Sequence, residues 1–483
     1  MAATHTTGTP RGGSMPLVGE SRNPARLQRD LRDHLLLNFT DMSQYADRDV
    51  PVFTRGEGCY IFDVNGRRYI DGLSGLFCTN LGHSYGAEVA EAAKSQLSEL
   101  VFTPTWHEAH PSAIELAAKI AARAPEGMEH VYFTTGGGEA VEAAWKLARQ
   151  WHAANGQPQR RKAIARHSSY HGTSFAALSF TGYTEARAPF EPLGVPTHHV
   201  SPTNAYRHPL GHDEAAFCAV LLAEIEQAIE FEGPDTVAML IAEPVQNSGG
   251  CFTPPAGYWT GLREICDRYG VLLVADEVIN GFGRVGHWFA SERYGVVPDM
   301  ITFAKGVTAA HAPLGGVVLH ERIAEPFASG RVTFMHGLTW SGHPLCTAIG
   351  LSVQNILERD GIIEHVREQE PLFRAELDTL RSLPLVGDIR GAGHFWAVEL
   401  VKDKTTRETF SAPECEWLFG EVLSGELWDR GLLCRLDDRG DPVIQLSPPL
   451  VADMGLIHDI VQIVGDSLVV AGDMVQAGRT TAA

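Results

Sequence analysis

Several apolar runs in this chain end on a residue able to do chemistry. Met300-Ile301-Thr302-Phe303-Ala304 reads as a buried strand that delivers Lys305, followed by Gly306. A lysine held partly desolvated at a strand end can lose its proton and act as an amine nucleophile towards a carbonyl. Standing alone, such a lysine is an ordinary surface residue, so its neighbours decide. Val271-Leu272-Leu273-Val274-Ala275 ends on Asp276, and Leu240-Ile241-Ala242 ends on Glu243. A carboxylate straight after a fully apolar strand is costly without a partner, and Asp276 in particular invites a cationic or protonated nitrogen. Val131-Tyr132-Phe133 runs through two threonines into Gly136-Gly137-Gly138, after which a helix begins with Glu139 and Glu142 near its start. Residues without Cβ let backbone N–H groups approach a phosphate at a helix N-terminus, although isolated glycine triplets are mostly connectors. Ser169-Tyr170-His171-Gly172 offers an aromatic face that would suit a flat ligand, or simply a core position.

Taken together these strand ends would supply a phosphate cradle, an aromatic face, a buried carboxylate and a lysine. Pyridoxal 5'-phosphate uses all four: an anion site, a lysine for its aldehyde, an acid that keeps its ring nitrogen protonated, and packing on both ring faces. The glycine spacing is neither G-x-G-x-x-G nor the P-loop pattern, which counts against a dinucleotide or nucleoside triphosphate. No metal site is expected.

The elements that must position these residues follow from periodicity. Strands are expected at 130–133, 163–165, 237–242, 271–275, 300–303 and 316–319, separated by helical stretches such as Ala140, Ala144, Leu147 and Ala148. That alternation predicts an α/β domain with a mainly parallel sheet over residues 83–350. A helix is expected over Leu27–Thr40, and Asn65-Gly66 predicts a hairpin within 58–72. Residues 25–82 are read as an N-terminal segment packing with a smaller α+β domain at 351–483, where a helix at 351–359 precedes strands at 387–391 and 395–400. Residues 1–24 are read as a flexible leader.

The 483 residues carry a formal net charge of −20, which disfavours a nucleic-acid or anionic-membrane partner. The 8 cysteines are far apart and read as free thiols of a reducing compartment. No run is read as a membrane span, so the expected location is cytoplasmic. Trp106 is read as lining the substrate pocket or packing the core, with packing favoured.

Asp276-Glu277-Val278-Ile279-Asn280-Gly281-Phe282-Gly283-Arg284, the Ile-Thr-Phe-Ala strand ending in Lys305-Gly306, and Thr339-Trp340-Ser341-Gly342-His343-Pro344 together resemble the class III (subgroup II) pyridoxal-phosphate aminotransferases, in the ω-amino acid:pyruvate branch. The resemblance covers about 27–450. It implies fold type I and a transaminase moving an amino group between an amine donor and a keto acid. It implies that Lys305 is the covalent anchor of the cofactor, that Asp276 bonds the ring nitrogen, and that Glu243 supports Asp276. Val278 and Tyr170 would sandwich the ring, with His171 beside them and Gly136, Gly137 and Gly138 in the phosphate loop. Thr339 would reach the phosphate of a second subunit, which makes a homodimer with shared active sites, or a tetramer of such dimers, the expected assembly. Arg435 would be a mobile arginine that binds a substrate carboxylate, and Phe77 an aromatic of the substrate pocket. Many relatives have Ser-Gly-Ser where Gly136-Gly137-Gly138 stands, so hydroxyl contacts to phosphate are missing here. Relatives using 2-oxoglutarate commonly carry an arginine where Thr173 stands, which favours pyruvate. Alternatives within the fold are a 2-oxoglutarate-dependent transaminase of the ornithine or γ-aminobutyrate type, an aminomutase, a decarboxylase or a racemase. A non-catalytic protein of the same fold is the remaining one.

Overall fold

A computed structural model describes residues 23–46 and 48–478, so the expected leader at 1–24 lies outside the described residues except for Asn23 and Pro24. The chain divides into two units, Met1–Arg55 with Ile61–Arg68, and Gly56–Tyr60 with Tyr69–Ala483.

In the first unit the helix is Pro24–His34, shorter than the expected span to Thr40. Asn23 caps it through Arg26 N, and Pro24 occupies its first turn, where a missing N–H costs nothing. The leucine spacing continues into Leu35, but the backbone is already extended there, at φ −118° and ψ 122°. Gln28 fixes the helix by donating to Val50 O at 2.7 Å and accepting from Val50 N at 3.1 Å. Strands Phe53–Glu57 (β1), Tyr60–Asp63 (β2) and Arg68–Asp71 (β3) carry residues of both units; β1 has no counterpart in the sequence reading. The Asn65-Gly66 turn forms as expected, with Gly66 at φ 84° and Asp63 N donating to Arg67 O at 3.0 Å.

The second unit is built on a seven-stranded sheet: Met128–Thr134 (β4), Lys162–Arg166 (β5), Thr197–Val200 (β6), Val237–Ala242 (β7), Leu272–Asp276 (β8), Met300–Phe303 (β9) and Gly315–His320 (β10). Its order is β4-β10-β9-β8-β7-β5-β6. β6, β5, β7, β8 and β9 are parallel, and β10 runs antiparallel between β9 and β4. The central strands β7, β8 and β9 are buried at every position because both faces are covered. Met239 and Ile241 of β7 face one core with Ala140, Ala144 and Leu147 of the helix Gly137–Ala154. Leu240 and Ala242 face the other, with helices Glu214–Glu232 and Tyr258–Tyr269. β6 escapes the sequence reading because it is a short edge strand, Thr-His-His-Val, with little apolar signal.

A four-stranded antiparallel sheet follows, ordered Val386–Ala392 (β11), Phe395–Leu400 (β12), Val443–Leu446 (which becomes β15 once Leu432–Leu433, β13, and Arg435–Asp437, β14, are numbered) and β14. The helix before it starts at Pro344 rather than Leu351, with His343 as its cap. The terminal helix Met454–Gln476 corrects one expectation, since by length and composition alone it could cross a membrane. Here its apolar face, including Ile457, Ile460, Val464 and Leu468, is buried with Trp396, Val398 and Leu446 of the small sheet.

Candidate active site

The parallel strands release their chains along one edge of the sheet, where open α/β sheets place ligands. At that edge lies a cavity of about 380 Å³, lined by Gly136, Gly137, Gly138, Glu139, Tyr170, His171, Gly172, Thr173, Ser174, Glu243, Asp276, Val278, Ile279, Asn280, Ala304 and Lys305. Nine of the twelve residues singled out in the sequence are among these.

Asp276 ends β8 directly opposite Thr302 of β9, and Lys305 follows three residues later. That register brings carboxylate and lysine to adjacent strand ends. Asp276 Oδ1 accepts from Val278 N at 3.1 Å and Thr302 Oγ1 at 3.1 Å, and Oδ2 accepts from His171 Nδ1 at 2.6 Å. The carboxylate is therefore buried but well supplied with donors. Lys305 sits at φ 35°, in the first position of a 3₁₀ turn, which a non-glycine residue adopts only when held there. Gly306 must lack a side chain: a Cβ would stand 2.6 Å from Asn80 Nδ2 and 2.9 Å from Phe282 Cβ. Burial lowers the Lys305 pKa below that of an ordinary lysine, against the opposing pull of Asp276.

Gly136 has an extended backbone and the 18-residue helix starts at Gly137. A Cβ on Gly137 would lie 2.8 Å from Val278 Cγ1, and one on Gly172, at φ 118°, would lie 2.9 Å from Gly138 Cα. Val278 and the two chain segments thus close on each other only because these positions are glycine. Glu139 accepts from Thr135 N at 3.0 Å, and Thr135 Oγ1 donates to the same carboxylate.

Glu243 does not bond Asp276. It accepts from Tyr170 N at 3.0 Å and Asn247 N at 2.6 Å, and burial raises its pKa, with the His171 imidazole opposing. It orients the segment carrying Tyr170 and His171, while His171 makes the direct contact to Asp276. Thr302, the second side-chain donor to Asp276, was missed; a lone hydroxyl inside the apolar Met-Ile-Thr-Phe strand was the available signal. Ser174 was also missed.

Three expected residues lie off the cavity lining. Phe77 is buried, at φ 64°, with its ring 5.6 Å from that of Phe395 in an edge-to-face pair. Thr339 is exposed. Arg435, on β14, lies 3.6 Å from Asp437. Trp106 is not core: it is 61% exposed and borders a second cavity with Met335 and Ser341.

The residues present fit pyridoxal phosphate. His171 Nε2 and Ser174 Oγ are buried without a protein partner at this site, and the glycine-lined helix N-terminus suits an anion.

Comparisons with known proteins agree. The family model described as "Aminotransferase class-III" matches residues 43–468. A probable aminotransferase of Mycobacterium tuberculosis is 50% identical over 402 residues, covering 83% of this chain and 86% of the relative. A putrescine–pyruvate aminotransferase of Pseudomonas aeruginosa is 39% identical, covering 89% and 93%. Among solved structures, an (S)-enantioselective omega-transaminase from Thermomicrobium roseum superposes with TM-score 0.89 at 39% identity, covering 93% and 99%. An omega-transaminase of Pseudomonas jessenii, solved in complex with PMP, gives TM-score 0.87 at 32% identity, covering 94% and 99%.

Proposed function

Because this chain belongs to the class III aminotransferases and is a pyridoxal-phosphate-dependent enzyme of fold type I, we propose that it moves an amino group from an amine or ω-amino acid to pyruvate in two half-reactions. The observation that carries this is Lys305 on the wall of the same cavity as the Asp276–His171 pair. When bound, the cofactor supplies an aldehyde for the donor nitrogen and a ring able to take up electrons from the carbon that loses its proton.

The chain's own residues then have distinct tasks. Amides at Gly136, Gly137 and Gly138 would hold the phosphate, Lys305 the aldehyde carbon, and Asp276 the ring nitrogen, with Tyr170 and Val278 against the faces. Lys305, whose ammonium form is disfavoured by burial, would be the base that takes a proton from the carbon bearing the donor's amino group. Asp276, fixed by its three donors, would face the ring nitrogen and bond it. Arg435 would bind the carboxylate of the keto acid, to which a guanidinium fork is suited, and withdraw when the donor has none, since a buried charge left unpaired is costly. Phe77 would contribute an aromatic wall where the substrate extends beyond the cofactor.

Pyruvate is favoured by Thr173 at the cavity edge, where an arginine would suit a second carboxylate, and by the relative that acts on putrescine and pyruvate. A cytoplasmic homodimer completes the reading. All eight cysteines are unpaired, and exposed Trp106 and Met335 border one cavity while exposed Trp340 follows Thr339 in the chain, at 61%, 82% and 57%, apolar surface suited to burial against a second copy. The test is Arg435→Ala in steady-state assays with pyruvate and a plain amine. KM for pyruvate should rise more than tenfold, with a much smaller change for the amine; equal changes would refute the assignment.

A further inference from the structure

Arg435 is not alone. It and Asp437 are two residues apart on β14, so their side chains share one face. The Asp437 side chain is 1% exposed, and its carboxylate meets two guanidinium groups on unequal terms. Arg439 donates from its backbone N at 3.1 Å and from Nε at 2.8 Å to Oδ1, and from Nη2 to Oδ2. Arg439 is further fixed by donating to Tyr183 OH at 3.3 Å, with its Cζ 5.0 Å from the Tyr183 ring centre. Tyr183 in turn stacks on Tyr170 of the cavity wall, 6.4 Å between centroids at 24°. Among the described residues, Arg435 is held by an ion pair of 3.6 Å through Nε, too long for a hydrogen bond.

One carboxylate thus carries one tightly held cation and one loosely held cation. We propose that Asp437 is the dock on which Arg435 rests while a donor without a carboxylate occupies the site, and that Arg439 is the fixed counter-charge that lets Arg435 leave. Resting on the assignment of Arg435 above, this makes Asp437 and Arg439 positioning residues that set the balance between the two substrates. With both arginines present the group has net charge +1, and after Arg435 moves to the keto acid it is neutral. Without Arg439 that departure would strand a buried carboxylate without a counter-charge, which is costly. Without Asp437 the Arg435 charge would have no resting place away from a donor that lacks a carboxylate.

The two variants therefore have opposite signs. In Asp437→Asn, KM for pyruvate should fall several-fold and KM for 1,4-diaminobutane should rise several-fold, shifting their ratio by tenfold or more. In Arg439→Gln, Arg435 becomes the only cation on Asp437, so KM for pyruvate should rise several-fold with little change for the diamine. A structural role alone would move kcat and both KM values together. Arg435→Ala is run alongside. If it leaves pyruvate KM unaltered, the assignment of Arg435 fails. If it raises pyruvate KM while the other two variants affect both substrates in parallel, the dock is refuted and the assignment stands. Should Asp437→Asn melt far below the parent protein, the sign of the Arg439→Gln effect on pyruvate decides alone.

Discussion

Removing the His171 side chain tests the support of Asp276 most sharply. Oδ1 of Asp276 has two protein donors, Val278 N and Thr302 Oγ1, whereas Oδ2 has one, His171 Nδ1 at 2.6 Å. His171→Ala therefore leaves one carboxylate oxygen without a protein donor in a buried site. A hydrogen bond to a charged group contributes about 1.5–3 kcal/mol. At roughly 1.4 kcal/mol per decade, kcat/KM should fall about 10- to 100-fold. The loss should appear for donor and keto acid alike, because the role proposed for Asp276 belongs to both half-reactions. Thr302→Val removes one of two donors to Oδ1 and should cost less, about two- to tenfold, from a loss of about 0.5–1.5 kcal/mol. His171→Asn keeps an N–H close to the position of Nδ1 and should recover most of the activity. Stopped-flow half-reactions on each side, with melting temperatures as a fold control, make the measurement. A His171→Ala enzyme within threefold of the parent, or His171→Asn falling as far as the alanine variant, would refute the reasoning.

Other outcomes follow from the same geometry. Lys305→Ala should abolish turnover and covalent cofactor attachment, read by mass spectrometry after borohydride reduction; a reduced adduct elsewhere at full occupancy would contradict the assignment. Gly137→Ala forces a Cβ to 2.8 Å from Val278 Cγ1 and should weaken cofactor binding at least tenfold in a reconstitution titration. His394 is buried, and desolvation lowers its pKa from 6.5 to about 3. A histidine depressed in the folded state contributes stability that is present above the unfolded value and lost as pH falls towards the folded one. Between pH 6.5 and 3 this group should forfeit on the order of 4–5 kcal/mol, and His394→Gln should flatten that part of the stability profile.

Much of the site was legible because strand ends in parallel sheets advertise themselves. An apolar run covered on both faces must stop at a polar residue, and at Asp276, Glu243 and Lys305 that residue lines the candidate cavity. Strands at 237–242 and 300–303 were read to the residue for the same reason. What the sequence hid were pairings set by register. That Thr302 stands opposite Asp276, or that His171 and not Glu243 touches it, depends on which strands are neighbours, and no local pattern encodes that. The edge strand β6 was missed because it carries little apolar signal, and the early end of the first helix because the leucine spacing runs on past His34. The Asp437–Arg439 pair was likewise invisible, since charged residues past a strand read as solvated turn.

The central claim, an amine-to-keto-acid transferase built on Lys305, is tested most directly by single half-reactions. Purified protein carrying its cofactor is mixed with β-alanine, taurine, a diamine or an aromatic amine alone, and the visible absorbance of the bound cofactor is followed. The account predicts that at least one donor bleaches the band stoichiometrically without any keto acid, and that pyruvate restores it better than 2-oxoglutarate. A band that no amine bleaches, or that only 2-oxoglutarate restores, would contradict it.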